Sequence, residues 1–228
     1  MSDVLLMACV APMQSWGTRS RFEIRDTERE PSKSGIVGIL ASALGRFRED
    51  PVDDLATLRM GVRVDREGVM RKDYQTVQKV AVASGGTPTN QVSHRFYLSD
   101  AAFLVGLEGD STLVKRVHDA LKNPKRPLFL GRKSYVPSAP LYLLDGLISQ
   151  TTLEGALESY PLLPEDLNRK SPDRKEVKCR FVVESHERTF EFRKDQPISF
   201  QIANRRYRDR YVEVYYKTVS AQGGMSCS

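Results

Sequence analysis

Cysteine is scarce in this chain, with 3 among 228 residues. Cys9, Cys179 and Cys227 lie far apart and form no CxxC pair. An odd, scattered set argues against a disulfide framework and a zinc site, and makes a reducing cytoplasm the default compartment. Histidine is equally scarce. His94, His118 and His186 stand at no metal-ligand spacing from one another or from a cysteine, so neither a metal nor another cofactor is expected. No apolar run reaches the length of a membrane span, and no membrane partner is expected. The opening MSDVLLMACVAPMQSWG has an acid but no basic flank, and its apolar run is broken by Pro12 and Trp16. It reads as a strand, not a signal peptide. GxSxG, HExxH, Walker A and RNP1 patterns and internal repeats are all missing. Their absence removes the common hydrolase, metalloprotease and nucleotide-hydrolysis readings.

What is present is enough apolar residue for a packed core, 40% against 28% charged, in one large domain or two small ones. Lysine and arginine outnumber acids by 35 to 29, for a net charge of +6. That balance favours an anionic partner, either nucleic acid or an acidic membrane surface.

Residues 4–10 and 101–107 are continuously apolar and read as central strands. Residues 36–44 and 112–121 carry helical apolar faces. Ser32 or Ser34 caps the first helix and Gly45 ends it; Asp110 and Ser111 cap the second. His118 falls on the polar side of that second helix. Residues 58–64 and 69–76 form a strand pair around the turn 65–68. With a further strand at 141–144 the order approximates βαββαβ, a ferredoxin-like or RRM-like α+β arrangement. A short helix at 151–160, a Pro- and charge-rich linker at 161–175 and strands at 176–183, 188–192 and 211–219 complete the chain. The expected division is a palm over residues 1–147 and a small β-rich C-terminal subdomain over 148–228.

Three stretches carry candidate chemistry. A protruding β-hairpin spans about residues 74–97, with a soft tip at 83–90. Its arms combine Arg71, Lys72, Lys79 and Arg95 with Tyr74, Phe96 and Tyr97, cations for phosphate and ring faces for bases; a solvated hairpin gives the same pattern. The helix entry Ser32, Lys33, Ser34, Gly35 offers free N–H groups, a positive dipole end and a lysine, a suitable anion site; a capped core helix is the alternative. The loop at 124–140 sets Lys125, Arg126, Arg132 and Lys133 around Phe129, Gly131 and Tyr135, where a glycine lets phosphate approach the backbone. The basic cluster at 204–210 suits RNA, a protein neighbour or solvent. His94, near Arg95 and Tyr97, is the one candidate for acid–base RNA cleavage.

Taken together, PMQSWG (12–17), PSKSGIVGILASALG (31–45), RKDYQTV (71–77), YLSDAAFLV (97–105) and PLFLGRKSYVPSAPL (127–141) resemble the CasD, or Cas5e-type, subunits of type I-E CRISPR Cascade complexes, an antiviral defence system. The resemblance covers roughly the first two thirds of the chain. It implies a ferredoxin-like palm, a hairpin thumb and a small C-terminal part. It also implies non-catalytic binding of the 5′ handle of the crRNA at one end of the complex. The partners it implies are a backbone subunit, the large PAM-recognising subunit and, indirectly, target DNA. The type I-C relative cleaves precursor RNA without metal, which leaves an endoribonuclease as the alternative. Placed on the matching motifs, the expected RNA-binding residues are Ser32, Lys33, Ser34 and Gly35 at the helix entry and Arg71, Lys72, Tyr74 and Gln75 at the hairpin base. Gly131, Arg132, Lys133 and Tyr135 stand opposite. Gln14 and Trp16 are expected to contact a base, with Trp16 equally suited to plug the core.

Overall fold

The apolar run near the N-terminus is continuous because both of its faces are covered. The computed structural model describes residues 2–18, 23–81, 85, 87, 89–163 and 176–220. In chain order its elements are β1 (Ser2–Val10), β2 (Met13–Gln14), β3 (Ile24–Arg25), α1 (Lys33–Leu44), α2 (Asp53–Ala56), β4 (Arg59–Arg66), β5 (Val69–Val80), β6 (Thr89–Ser99) and β7 (Ala102–Asp110). There follow α3 (Ser111–Lys122), β8 (Tyr142–Ser149), α4 (Leu153–Ser159), β9 (Glu176–Glu184), β10 (Phe192–Ser199) and β11 (Arg206–Ser220). Seven strands form one sheet in the order β10-β11-β9-β4-β7-β1-β8, antiparallel at every pairing. The class is α+β, as expected.

Alternation along β1 sorts its side chains into two cores. Leu5, Met7 and Cys9 join Ile36, Leu40, Val114 and Val117 under α1 and α3. Val4 and Leu6 join Leu153, Leu157 and Phe181 under α4. That second layer is thin because the register pairs Gly61 with Gly106. A Cβ on either would lie 2.6 or 2.7 Å from a methyl of Leu157 or Leu153, so both leucines rest directly on backbone. Burial pushes the Cys9 thiol up to about 12 and Cys179 up to about 11; these are inert packing residues.

The fully buried Arg63 closes this layer. Its guanidinium donates to Asp65, to Leu157 O at 2.6 Å, to Pro161 O at 2.7 Å and to Tyr160 O. It thus takes up carbonyls that the end of α4 leaves without partners. Asp65 also accepts from Leu163 N at 2.7 Å.

Three expectations change. The C-terminal strands form no separate sheet: residues 61–64 of β4 pair with 180–183 of β9, so the sheet runs through the expected boundary at 147/148. The strand expected at 188–192 begins only at Phe192, since residues 185–190 turn. His118 is 4% exposed, because Val114, Val117, His118 and Leu121 share one stripe of α3. Residues 164–175 of the expected linker, half of the hairpin tip at 83–90, and Cys227 lie outside the described residues.

β6 belongs to a second sheet, with β5 and β2 antiparallel to it and β3 parallel. The β5–β6 pairing opposes Arg71 to Tyr97, Lys72 to Phe96 and Tyr74 to His94. Strand β5 is exposed along nearly its whole length.

Candidate nucleic-acid interface

Helix α1 starts where the sequence places it. Ser32 caps it, accepting from Gly35 N at 3.3 Å. Its apolar face is buried in the core, while Ser34, Gly35, Gly38 and Ser42 remain half-buried on the other side. That outer face lines an open groove of about 1070 Å³. The chain just past α1 contributes Arg46, Phe47 and Arg48; the loop between α3 and β8 contributes Arg126, Phe129, Gly131, Arg132 and Lys133; Phe200, Arg205 and Tyr207 come from the C-terminal part. With Arg25 the lining holds, among the described residues, seven cations and a single acid, Asp26.

Several of these cations are held in place. Arg46 donates to both carboxylate oxygens of Asp54 and to Pro51 O. Arg132 donates to Tyr135 Oη at 2.6 Å and to Phe96 O at 2.9 Å, which ties the groove wall to β6. Burial raises the Tyr135 hydroxyl, against the neighbouring Arg132; it stays protonated and serves as a support. The Arg126 guanidinium lies 3.9 Å over the Phe47 ring. Arg48, Lys133 and Arg205 are exposed and make no hydrogen bond or ion pair with the described residues.

The expected site residues divide accordingly. Ser32, Ser34, Gly35, Gly131, Arg132 and Lys133 line the groove together. Gly131 has φ +97, and a Cβ there would stand 1.8 Å from Ser15 O. Glycine is therefore required by the docking of this loop on Ser15, whatever binds beside it. Tyr135 is buried behind Arg132. Trp16 is 1% exposed; it packs against Gly35 and donates from Nε1 to Gln14 Oε1 at 3.2 Å. Gln14 Nε2 donates in turn to Cys9 O and Ala101 O. This pair is a core plug beneath the groove, which removes the base contact expected of both. Arg71, Lys72, Tyr74 and Gln75 lie on β5 outside the groove lining.

Lys33 needs the largest revision. Its ammonium is 2% exposed and sits 2.8 Å from Glu184, while its backbone N–H donates to Asp195 at 2.7 Å. Burial lowers the lysine from its ordinary range and Glu184 opposes that. The anion at this helix entry is the chain's own Asp195, itself paired with Arg210 at 2.9 Å. Lys33→Gln is accordingly expected to cost about 1–3 kcal/mol in a urea titration, the penalty for unpairing a charged hydrogen bond. The salt dependence of RNA binding should stay unchanged, and a flattened slope would return Lys33 to the binding surface.

The acid–base pair weighed from sequence is not assembled. His94 and Tyr97 are three residues apart on a regularly paired stretch of β6, so they face opposite sides of the strand. Their ring neighbours differ too, Tyr74 for His94 and Tyr135 for Tyr97. No cluster of metal-binding side chains occurs among the described residues, and no helix is long and apolar enough to cross a membrane.

Sequence reasoning passed over Phe47, Arg48 and Phe200, whereas Arg205 and Tyr207 come from the basic cluster at 204–210 that it marked as suited to RNA. The first two were legible: RFR directly after the Gly45 stop is a basic–aromatic interleave. Phe200 carries no local signal, since its place in the groove depends on distant strand pairing.

Comparisons with known proteins agree with one another. A family model described as CRISPR-associated protein (Cas_Cas5) matches residues 4–213. The CRISPR system Cascade subunit CasD of Escherichia coli (strain K12) is 28% identical over 183 residues, spanning 73% of this chain and 81% of that protein. A solved chain described as "Crystal structure of Cas protein" is 47% identical, with TM-score 0.73 over 93% of this chain and 94% of its own. Another, from a "CRISPR RNA-guided surveillance complex", is 34% identical, with TM-score 0.79 over 96% of this chain and 91% of its own.

Proposed function

The chain belongs to the Cas5 family of CRISPR-associated proteins, and on that premise we propose that it is the CasD-type RNA-binding subunit of a Cascade complex. It works in the cytoplasm and holds the 5′ handle of the crRNA in the groove beside α1. The observation that carries this reading is the lining of that groove, seven cations to one acid with aromatic rings between them. Strands β4-β7-β1-β8 with α1 and α3 serve as a ferredoxin-like palm, and the exposed β5–β6 hairpin as a thumb. Because the hairpin lies outside the groove lining, its Arg71, Lys72, Tyr74 and Gln75 face the neighbouring backbone subunit or the RNA beyond the handle. The large PAM-recognising subunit is the other protein partner, and target DNA is met only through the assembly.

The role is non-catalytic, a reading supported by His94 and Tyr97 facing opposite sides of β6. Incubating the pure protein with repeat RNA in EDTA should give binding without cleavage, and crRNA-dependent co-assembly with Cascade subunits. Specific cleavage lost in His94→Ala would overturn the non-catalytic role. Absence of both RNA binding and co-assembly would overturn the subunit reading.

Gly38 gives a second check. Trp16 excludes a Cβ at Gly35, but an added Cβ at Gly38 meets nothing within 4 Å. A helix-interior glycine costs about 0.5–1 kcal/mol relative to alanine, and no neighbour in the fold requires it. Gly38→Ala should therefore raise the urea midpoint. It should also weaken handle binding about 10-fold, as crowding of a packed contact costs roughly 1–3 kcal/mol. Higher stability with unchanged affinity would place the RNA away from α1.

A further inference from the structure

Phe47 is a large ring left 64% exposed, yet it is held firmly. Its N–H donates to Asp50 at 2.7 Å, and the preceding Arg46 is anchored on Asp54 and Pro51. Arg126, from a separate loop, stacks 3.9 Å over one side of the ring. That loop is tied to α1 by Lys125 N donating to Ala43 O at 2.9 Å. The ring is thus preorganised in a groove whose charged lining is mostly cationic, with Arg48 beside it in sequence and Arg205 and Tyr207 in the same groove.

We propose that Phe47, backed by Arg126, is a stacking platform for one unpaired nucleobase of the bound RNA. This rests on the groove being the RNA site. A base has an apolar face to cover the ring and carries a phosphate for the adjacent arginines, whereas an apolar protein side chain would cover the ring and leave those cations unmatched. Ring stacking tolerates any base, so Phe47 supplies affinity and positioning and leaves sequence discrimination to other groups. Arg126 acts on the ring from behind by a cation–π contact, which also fixes the ring's orientation.

The chain's one tryptophan, Trp16, is buried, which makes Phe47→Trp a clean reporter. With the full-length protein and a single-stranded repeat RNA, emission from Phe47→Trp should be quenched on binding, beyond any change in the parent protein. Phe47→Ala should weaken binding roughly 5- to 150-fold, with an unchanged salt slope because no charge is lost. If Phe47→Ala binds as the parent does while Arg48→Glu weakens binding, the platform is wrong and the groove reading stands. Should both variants bind normally, the groove reading falls and the platform with it. Loss confined to protein co-assembly without RNA would assign the ring to a subunit contact and overturn the proposal.

Discussion

Replacing Arg63 with methionine is expected to lower folding stability by about 3–5 kcal/mol, the usual cost of removing one partner from a buried ion pair. The side chain is fully buried and its ion-pair partner Asp65 is 3% exposed. Methionine fills much of the stem volume, so packing loss is small and the effect reports the polar contacts. Without the guanidinium, Asp65 keeps its contact with Leu163 N. The carbonyls of Leu157, which is buried, and of the half-buried Tyr160 and Pro161 lose their donor. Helix α4 then loses its C-terminal anchor and loosens its two leucines over Gly61 and Gly106. Urea denaturation followed by circular dichroism gives the number directly. A cost below about 1 kcal/mol would mean that water replaces the guanidinium at these carbonyls, and that Arg63 is not what holds α4 to the sheet.

Local pattern made the central strands and the first helix legible. The apolar runs of β1 and β7 need no partner to be recognised, since only a strand covered on both faces is apolar at every position. Ser32 and Gly45 mark the ends of α1 through side-chain and backbone chemistry that any single sequence displays. Lys33 shows where local reading stops. A lysine at a capped helix entry reads as a phosphate ligand until Glu184, 151 residues away, is known to stand against it. The same holds for β9, whose edge-to-edge pairing with β4 is specified by tertiary register and by no turn signal. His118 was misplaced because its own polarity outweighed its position on the buried stripe of α3.

Those long-range contacts also explain why the groove is preformed. Glu30 accepts from both Arg180 and Arg193, Asp195 binds Arg210 and the Lys33 backbone, and Lys33 reaches Glu184. This network sets the N-terminal end of α1 against β9, β10 and β11, which brings Phe200, Arg205 and Tyr207 to the same groove as the helix. Buried charges thus position the wall, while Arg48, Lys133 and Arg205 stay exposed in the groove.

Reversing three of those exposed charges together, as Arg48→Glu, Lys133→Glu and Arg205→Glu, should have the largest effect on binding. They come from three separate segments around one groove, so a strand lying in it meets all of them. Losing three phosphate contacts flattens the log–log salt slope by about 2 for single-stranded RNA, and the added repulsion should weaken binding on the order of 100-fold or more near physiological salt. Stability should barely move, since none of the three is paired with a described residue and such surface changes usually stay within about 0.5 kcal/mol each. This contrast with Lys33→Gln separates the two kinds of cation: one set shifts the salt slope without the urea midpoint, the other the midpoint without the slope. A titration of repeat RNA at several salt concentrations decides it. An unchanged slope in the triple variant would move the RNA out of the groove, and the hairpin arms carrying Arg71 and Lys72 would become the surface to test.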